Sequence, residues 1–310
     1  MMIEKIKNYI KNYQDKKTFM LGSSHLLRMR GQYDKVRYIK DVDYKIFSQN
    51  GEDGILDYIL HNLKIEKPKF LEIGVGDYSE SNTRFLYQRT SPKGFVIDCI
   101  EELEFKIKKI SNLWKGDLTI INKKINTSNI NKILDDNKIL DKLDLFSLDI
   151  DGIDYWILCE LPNNFSKVVV VEYNPTFGNK LSITVPKIEN FNRGNYHYSN
   201  LCFGMSLQAA IEIMKKKNFY FLGVNLMRNN AFFVSNNYPK DEYFKNLIID
   251  DVQAIDDSNF RESRDKMGNL NYISGEYKIK EIQNCEVIDI SKNKIEKITI
   301  KNLISKENFS

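Results

Sequence analysis

Acidic side chains at the ends of apolar runs are the residues of this sequence best placed to do chemistry. Glu72 closes the run K-F-L-E-I-G (69–74), and Asp98 closes G-F-V-I-D (94–98). Asp149 and Asp151 follow L-D-L-F-S-L (143–148), and Glu172 and Asn174 end K-V-V-V-V-E-Y-N (167–174). If these runs are neighbouring parallel strands, their ends stand about 5 Å apart at the carboxyl edge, where open α/β sheets take ligands. Several acids in so small a space repel one another unless a proton or a cation resolves the conflict. Oxygen donors alone select Mg²⁺ or Mn²⁺ over zinc. Asp149, Asp151, Glu172 and Asn174 are therefore the expected ligands of a divalent ion, which would lower the pKa of a bound hydroxyl. The alternatives are that Asp149 acts as a simple base, and that Asp151 and Asp154 cap the helix beginning near Asp154.

The turn after Glu72 carries a second kind of chemistry. Gly74 and Gly76 let a strand pass tightly into a helix and let a ligand approach the backbone. A dinucleotide site would call for G-x-G-x-x-G, but G-V-G-D-Y-S (74–79) lacks the third glycine and places Asp77 where a pyrophosphate would sit. E-x-G-x-G suits S-adenosylmethionine better, because that cofactor carries positive charge on its sulfonium and ammonium groups. Asp98 lies 22 residues beyond Gly76 and is expected on the ribose hydroxyls, or as a cap for the following helix.

The elements that must position these residues follow from the pattern of apolar runs. Short, nearly continuous runs at 69–74, 94–98, 117–122, 143–150 and 167–174 alternate with helical stretches near 81–90, 101–113, 128–137 and 154–160. That alternation predicts parallel strands covered on both faces. A helix over 206–218 then precedes two strands joined by L-M-R-N-N, an antiparallel hairpin at one sheet edge. The predicted fold is α/β, a Rossmann-like doubly wound sheet of five parallel strands closed by a hairpin, the arrangement of class I methyltransferases. Residues 1–46 form a basic helical arm with Ile3, Ile6, Tyr9 and Ile10 at helical spacing. The arm would pack on its own domain or on a second subunit of a homodimer, membrane-surface binding being the alternative. Residues 47–235 are the methyltransferase domain, and 236–310 a C-terminal appendage with a strand-like run at 285–290.

Composition narrows the function classes. The chain has 310 residues, 42% hydrophobic and 28% charged, so disordered and collagenous architectures are excluded. Lys+Arg 46 against Asp+Glu 42 leaves +4, too diluted an excess for a nucleic-acid binder. Cys99, Cys159, Cys202 and Cys285 show no metal-binding spacing, which suits a reducing cytoplasm. No apolar stretch reaches the ~20 residues of a membrane span, and charges stand where a signal peptide needs an apolar core.

Three segments together, F-S-Q-N-G-E-D-G-I-L (47–56), L-E-I-G-V-G-D-Y-S-E-S-N-T (71–83) and G-F-V-I-D (94–98), resemble the FkbM-type methyltransferases over roughly 47–235. The sequence departs from that family at Asp77 and Tyr78, where many members have small residues. The resemblance implies an S-adenosylmethionine-dependent O-methyltransferase acting on a small-molecule hydroxyl. It places Glu72, Gly74, Gly76, Ser81, Asn82 and Asp98 around the cofactor, with Gln49 and Asp53 at a helix mouth nearby. By analogy the acceptor is a nucleotide sugar or a surface-glycan sugar, as in capsule biosynthesis. A capsule phosphoramidate, a natural product, or a non-catalytic interaction subunit with the same fold are the alternatives. His197, in G-N-Y-H-Y-S-N (194–200), is a second candidate base beside Asp149, or else a surface histidine.

Overall fold

A computed structural model describes residues 2–111, 113–252, 255, 262–291 and 296–307. Helix α1 (Met2–Arg30) leads into α2 (Glu52–Asn62). The alternating pattern then runs β1 (Phe70–Ile73), α3 (Arg84–Thr90), β2 (Lys93–Asp98), α4 (Leu103–Ile110), β3 (Asp117–Asn122), α5 (Ile130–Asp136), β4 (Leu145–Leu148), α6 (Asp154–Glu160) and β5 (Val168–Glu172). A short β6 (Ile183–Thr184) and α7 (Arg193–Tyr196) precede α8 (Leu207–Lys216) and the hairpin β7 (Phe219–Val224) and β8 (Asn230–Ser235). The C-terminal part contributes α9 (Lys240–Tyr243), α10 (Glu276–Glu281), β9 (Glu286–Asp289), β10 (Glu296–Thr299) and α11 (Ile300–Glu307).

Seven strands form the main sheet in the order β3-β2-β1-β4-β5-β8-β7. The first five are parallel, and β8 runs antiparallel to both β5 and β7. The order reverses between β1 and β4, which opens a crevice at their carboxyl ends. Alternate side chains of each strand serve opposite cores. Phe70, Val96, Leu145 and Val170 face the layer holding α2 and α4, whereas Leu71, Phe95, Phe146 and Val171 face α5, α6 and α8. Burial on both faces explains why these strands read as continuous apolar runs. This is a Rossmann-like, doubly wound sheet with the class I methyltransferase strand order.

The N-terminal arm is built around α1, a helix of 29 residues. Its second half is anchored: Asp15 pairs with Arg84 at 2.5 Å, Phe19 packs against Phe85, and Arg30 forks onto Asp57. Upstream, Ile6, Tyr9, Ile10 and Tyr13 remain exposed. The C-terminal part is knitted into the main domain. Its β9 pairs with β10 on one side and with β6, from the segment after β5, on the other. Among the described residues no helix is long and apolar enough to cross a membrane.

Candidate active site

A cleft of about 530 Å³ opens at the carboxyl ends of β1, β2, β4 and β5. Its size falls within the range of small-molecule sites. Gln49, Glu72, Gly74, Gly76, Ser81, Asn82, Asp98, Asp149, Asp151 and Glu172 all line it. The structure therefore brings ten of the thirteen candidate residues to one cavity, and leaves Asp53, Asn174 and His197 outside its lining.

On the β1–β2 side each acid is held by backbone. Glu72, 4% exposed, accepts the N–H groups of Asn82 (2.8 Å) and Thr83 (3.0 Å) and the Thr83 hydroxyl (2.5 Å), fixing the start of α3. Burial is the main cause that pushes its carboxyl up to about 7, against those hydrogen bonds. Asn82 donates to Ser147 on the neighbouring strand, and Ser81 donates to the Val75 carbonyl. Asp98 accepts from Gly76 N–H at 2.7 Å and from Cys99 and Ile100 N–H, which ties the glycine turn to the end of β2. Gly74 has φ +88°, and a Cβ there would lie 1.4 Å from the Asp149 carbonyl oxygen. Only glycine lets the first turn pass so close to the end of β4.

Asp53 serves the loop ahead of α2 and not the glycine turn. Its Oδ2 accepts the N–H groups of Ile46, Phe47 and Ser48 at 2.6–2.8 Å, organising the loop ahead of α2. Gly51 is the N-cap of that helix. Burial pushes the Asp53 carboxyl up to about 6.

The β4–β5 side is built differently. One oxygen each from Asp149, Asp151 and Glu172 can lie within 4.8 Å of the others. Asp149 and Glu172 hydrogen-bond directly to one another, and both carboxyls are pushed up, by burial first and then by neighbouring acidic charge. Two carboxyls in such contact hold a proton between them. Asp154 does not cap α6, whose N-cap is Ile153; its carboxylate holds the loop ahead of the helix, accepting from Ile150 and Gly152 N–H. Asn174 is fully buried and spent on structure, donating to the Leu201 and Phe203 carbonyls and accepting from Thr176 N–H. No lone pair directed at the cleft is left to it as a metal ligand.

Sequence reasoning missed three residues of this wall. Arg193, from α7, pairs with Asp151 and with Glu262 at 3.0 Å, and its guanidinium lies over the Phe203 ring. The Arg193 pKa is raised: the acids Asp151, Glu262 and Glu172 outweigh its desolvation, so the cluster has a built-in cation. Glu262 comes from the C-terminal part and reaches the cleft lining. Asn230, at the start of β8, lines it too. None carries a local motif, since each arrives through long-range packing. His197 instead bonds Ser199 Oγ through Nδ1 at 2.7 Å and stacks on Tyr198.

The seven-stranded order and the glycine turn with its strand-end acids define a class I methyltransferase fold. Known structures of low similarity include the pyocyanin biosynthetic protein PhzM, at 14% identity over 57% of this chain and 52% of that one, TM-score 0.32. PKMT2 from Rickettsia typhi, determined with AdoHcy, is 12% identical over 56% and 50%, TM-score 0.34. A putative sarcosine dimethylglycine methyltransferase from Galdieria sulphuraria is 13% identical over 63% and 74%, TM-score 0.33. The matched part spans about half the length of the first two. The fold assignment rests on the strand order itself. No family model matches the sequence, and no curated protein does.

Proposed function

We propose that the protein is an S-adenosylmethionine-dependent O-methyltransferase of the FkbM type that acts on a sugar hydroxyl. The observation carrying the cofactor half is the cradle at Gly74 and Gly76. At Gly74 the backbone passes so close to the end of β4 that a side chain would strike the Asp149 carbonyl. At Gly76 the space beside the backbone is open, and Asp98 closes the turn from the next strand. Asp98 accepts three N–H groups, against about four lone-pair sites on a carboxylate, so one site is left for a ribose hydroxyl. Glu72, Ser81 and Asn82 hold the rest of the turn. The cofactor supplies a methyl group already activated on a sulfonium, so the protein's task is alignment and proton removal. Asp149 would take the proton of the acceptor hydroxyl, with Glu172 holding the shared proton beside it and Arg193 balancing Asp151.

The sugar assignment rests on the sequence resemblance alone. Divalent-metal assistance is a second reading, favoured by the three carboxylate oxygens that come within 4.8 Å. Asn174 is not available to that set, and Arg193 already occupies Asp151. EDTA should leave turnover intact if the proton-sharing pair does the work, and abolish it if an ion does.

Calorimetric titration with S-adenosylhomocysteine tests the cofactor half. Asp98→Ala should weaken binding by about tenfold or more, the cost of losing a charge-assisted bond to the ligand. Unchanged affinity would remove Asp98 from the site. Mass-spectrometric screening of nucleotide sugars for a gain of one methyl group tests the acceptor half.

A further inference from the structure

Beside the Asp149–Glu172 pair lies an acceptor atom with nothing to accept. Asn230 stands opposite Glu172 across the β5–β8 ladder, and its side chain, 4% exposed, lines the cleft. Its Nδ2 donates to Glu52 Oε1 at 2.8 Å. Glu52 is itself buried and also receives Asn225 Nδ2 and the Asn50 N–H. That carboxylate fixes the amide's orientation, because turning it over would set the Asn230 oxygen against a carboxylate oxygen. Oδ1 is thus the atom left over, and it is buried with no partner. A buried oxygen in that condition has lost its hydration without replacement, and a ligand bringing an O–H or N–H would restore the missing bond.

We propose that Asn230 Oδ1 receives a hydroxyl of the acceptor adjacent to the one that is methylated, so that the site selects polyols with neighbouring hydroxyls. The proposal rests on the reading of this cleft as a methyl-transfer site. Strands stand about 4.8 Å apart, so Asn230 is one strand from Glu172 and two from β4, beyond which lies Asp149. A donor seated on Asn230 lies on the hairpin side of the acid pair while the reacting hydroxyl faces Asp149. A lone hydroxyl on an apolar body would leave Oδ1 unmatched. A carboxylate or phosphate would bring one more acceptor to a wall already made of acids and an amide oxygen.

Calorimetric titration of S-adenosylhomocysteine-saturated protein with methyl α-D-glucopyranoside and myo-inositol, against cyclohexanol as a single-hydroxyl control, tests this. The wild type should bind the polyols better than the control. In Asn230→Leu their affinity should fall about three- to tenfold, as expected for one neutral hydrogen bond, with S-adenosylhomocysteine affinity held within about twofold. If Asn230→Leu does not fold, Asn230→Ala removes the same acceptor at smaller volume. Equal polyol affinity in wild type and variant, as when water fills Oδ1, overturns the proposal. Absence of polyol binding to the wild type overturns it too. The S-adenosylhomocysteine titration of the wild type separately decides the methyltransferase reading.

Discussion

The two walls of the cleft treat their acids in opposite ways. On the β1–β2 wall, Glu72 and Asp98 each accept two or more backbone N–H groups, so their charge is spread into the fold. On the β4–β5 wall, Asp149 and Glu172 face each other, Asp151 depends on Arg193, and Asn230 Oδ1 has no partner. Backbone donors cannot move away, so the first wall is prebuilt for a ligand of fixed shape. The second wall keeps its polar capacity for whatever enters, which is the arrangement expected where protons change hands.

The largest effect should come from the point where the walls touch. Gly74→Ala drives a methyl group into the Asp149 carbonyl and strains a φ of +88°. It should cost at least about 3 kcal/mol in denaturant unfolding, or prevent accumulation of folded protein. A loss under about 1 kcal/mol would mean that the two walls are not locked together there.

The first wall predicts a pH dependence. Glu72 titrates near 4.5 when unfolded and is pushed up to about 7 in the fold. Its contribution to stability is full below 4.5 and is lost as pH rises through 7, on the order of 3 kcal/mol in all. Unfolding midpoints measured across that window should decline with pH, and Glu72→Gln should flatten the slope. A slope unchanged by the substitution would take Glu72 out of the account.

The second wall predicts sensitivity to its cation. Arg193→Met leaves Asp151 without its partner and Glu262 with Arg264 alone. Because Asp151 is about half exposed, the stability cost should be only about 1 kcal/mol, measured by thermal unfolding. The same variant should make methyl transfer more salt-sensitive, since solvent ions take over the screening.

The smallest effect sharpens the boundary of the site. His197→Ala removes a bond to Ser199 outside the cleft lining. S-adenosylhomocysteine affinity should stay within about twofold, a difference under 0.5 kcal/mol. A tenfold loss would extend the cleft toward 197–199.

The contrast between walls also marks what the sequence made legible. Strands β1, β2, β4 and β5 are buried on both faces, so each is a dense apolar run, and the acid at or after the end of each run is visible by position. The hairpin was legible for the same reason, through F-Y-F-L-G-V-N and A-F-F-V-S. The second wall was only half legible. Asn174 looked like a ligand because it ends a strand, but the 201–205 segment folds over it and consumes its amide. Arg193, Asn230 and Glu262 come from a four-residue helix, a hairpin and the C-terminal part, with separations such as 69 residues between Arg193 and Glu262. No local pattern announces a contact of that range. In α1 the spacing of Ile6, Tyr9 and Ile10 announced a helix, but these residues are exposed, so their stripe did not announce a packed face.

The pairing of β6 with β9 sets an order of assembly. Every residue of the Glu72–Asp98 wall has been synthesised once residue 100 is made, and the backbone donors to both acids lie within that stretch. The segment that carries Arg193 follows β6, and β6 is stitched to residues 288–289. Synthesis at about 5–20 residues per second separates the two events by some ten to forty seconds. During that interval the nascent chain owns half of a pocket, with its acids on β4 and β5 awaiting their cation and their cover. Any chaperone or partner that acts on this protein as it is made would meet that half-walled state first.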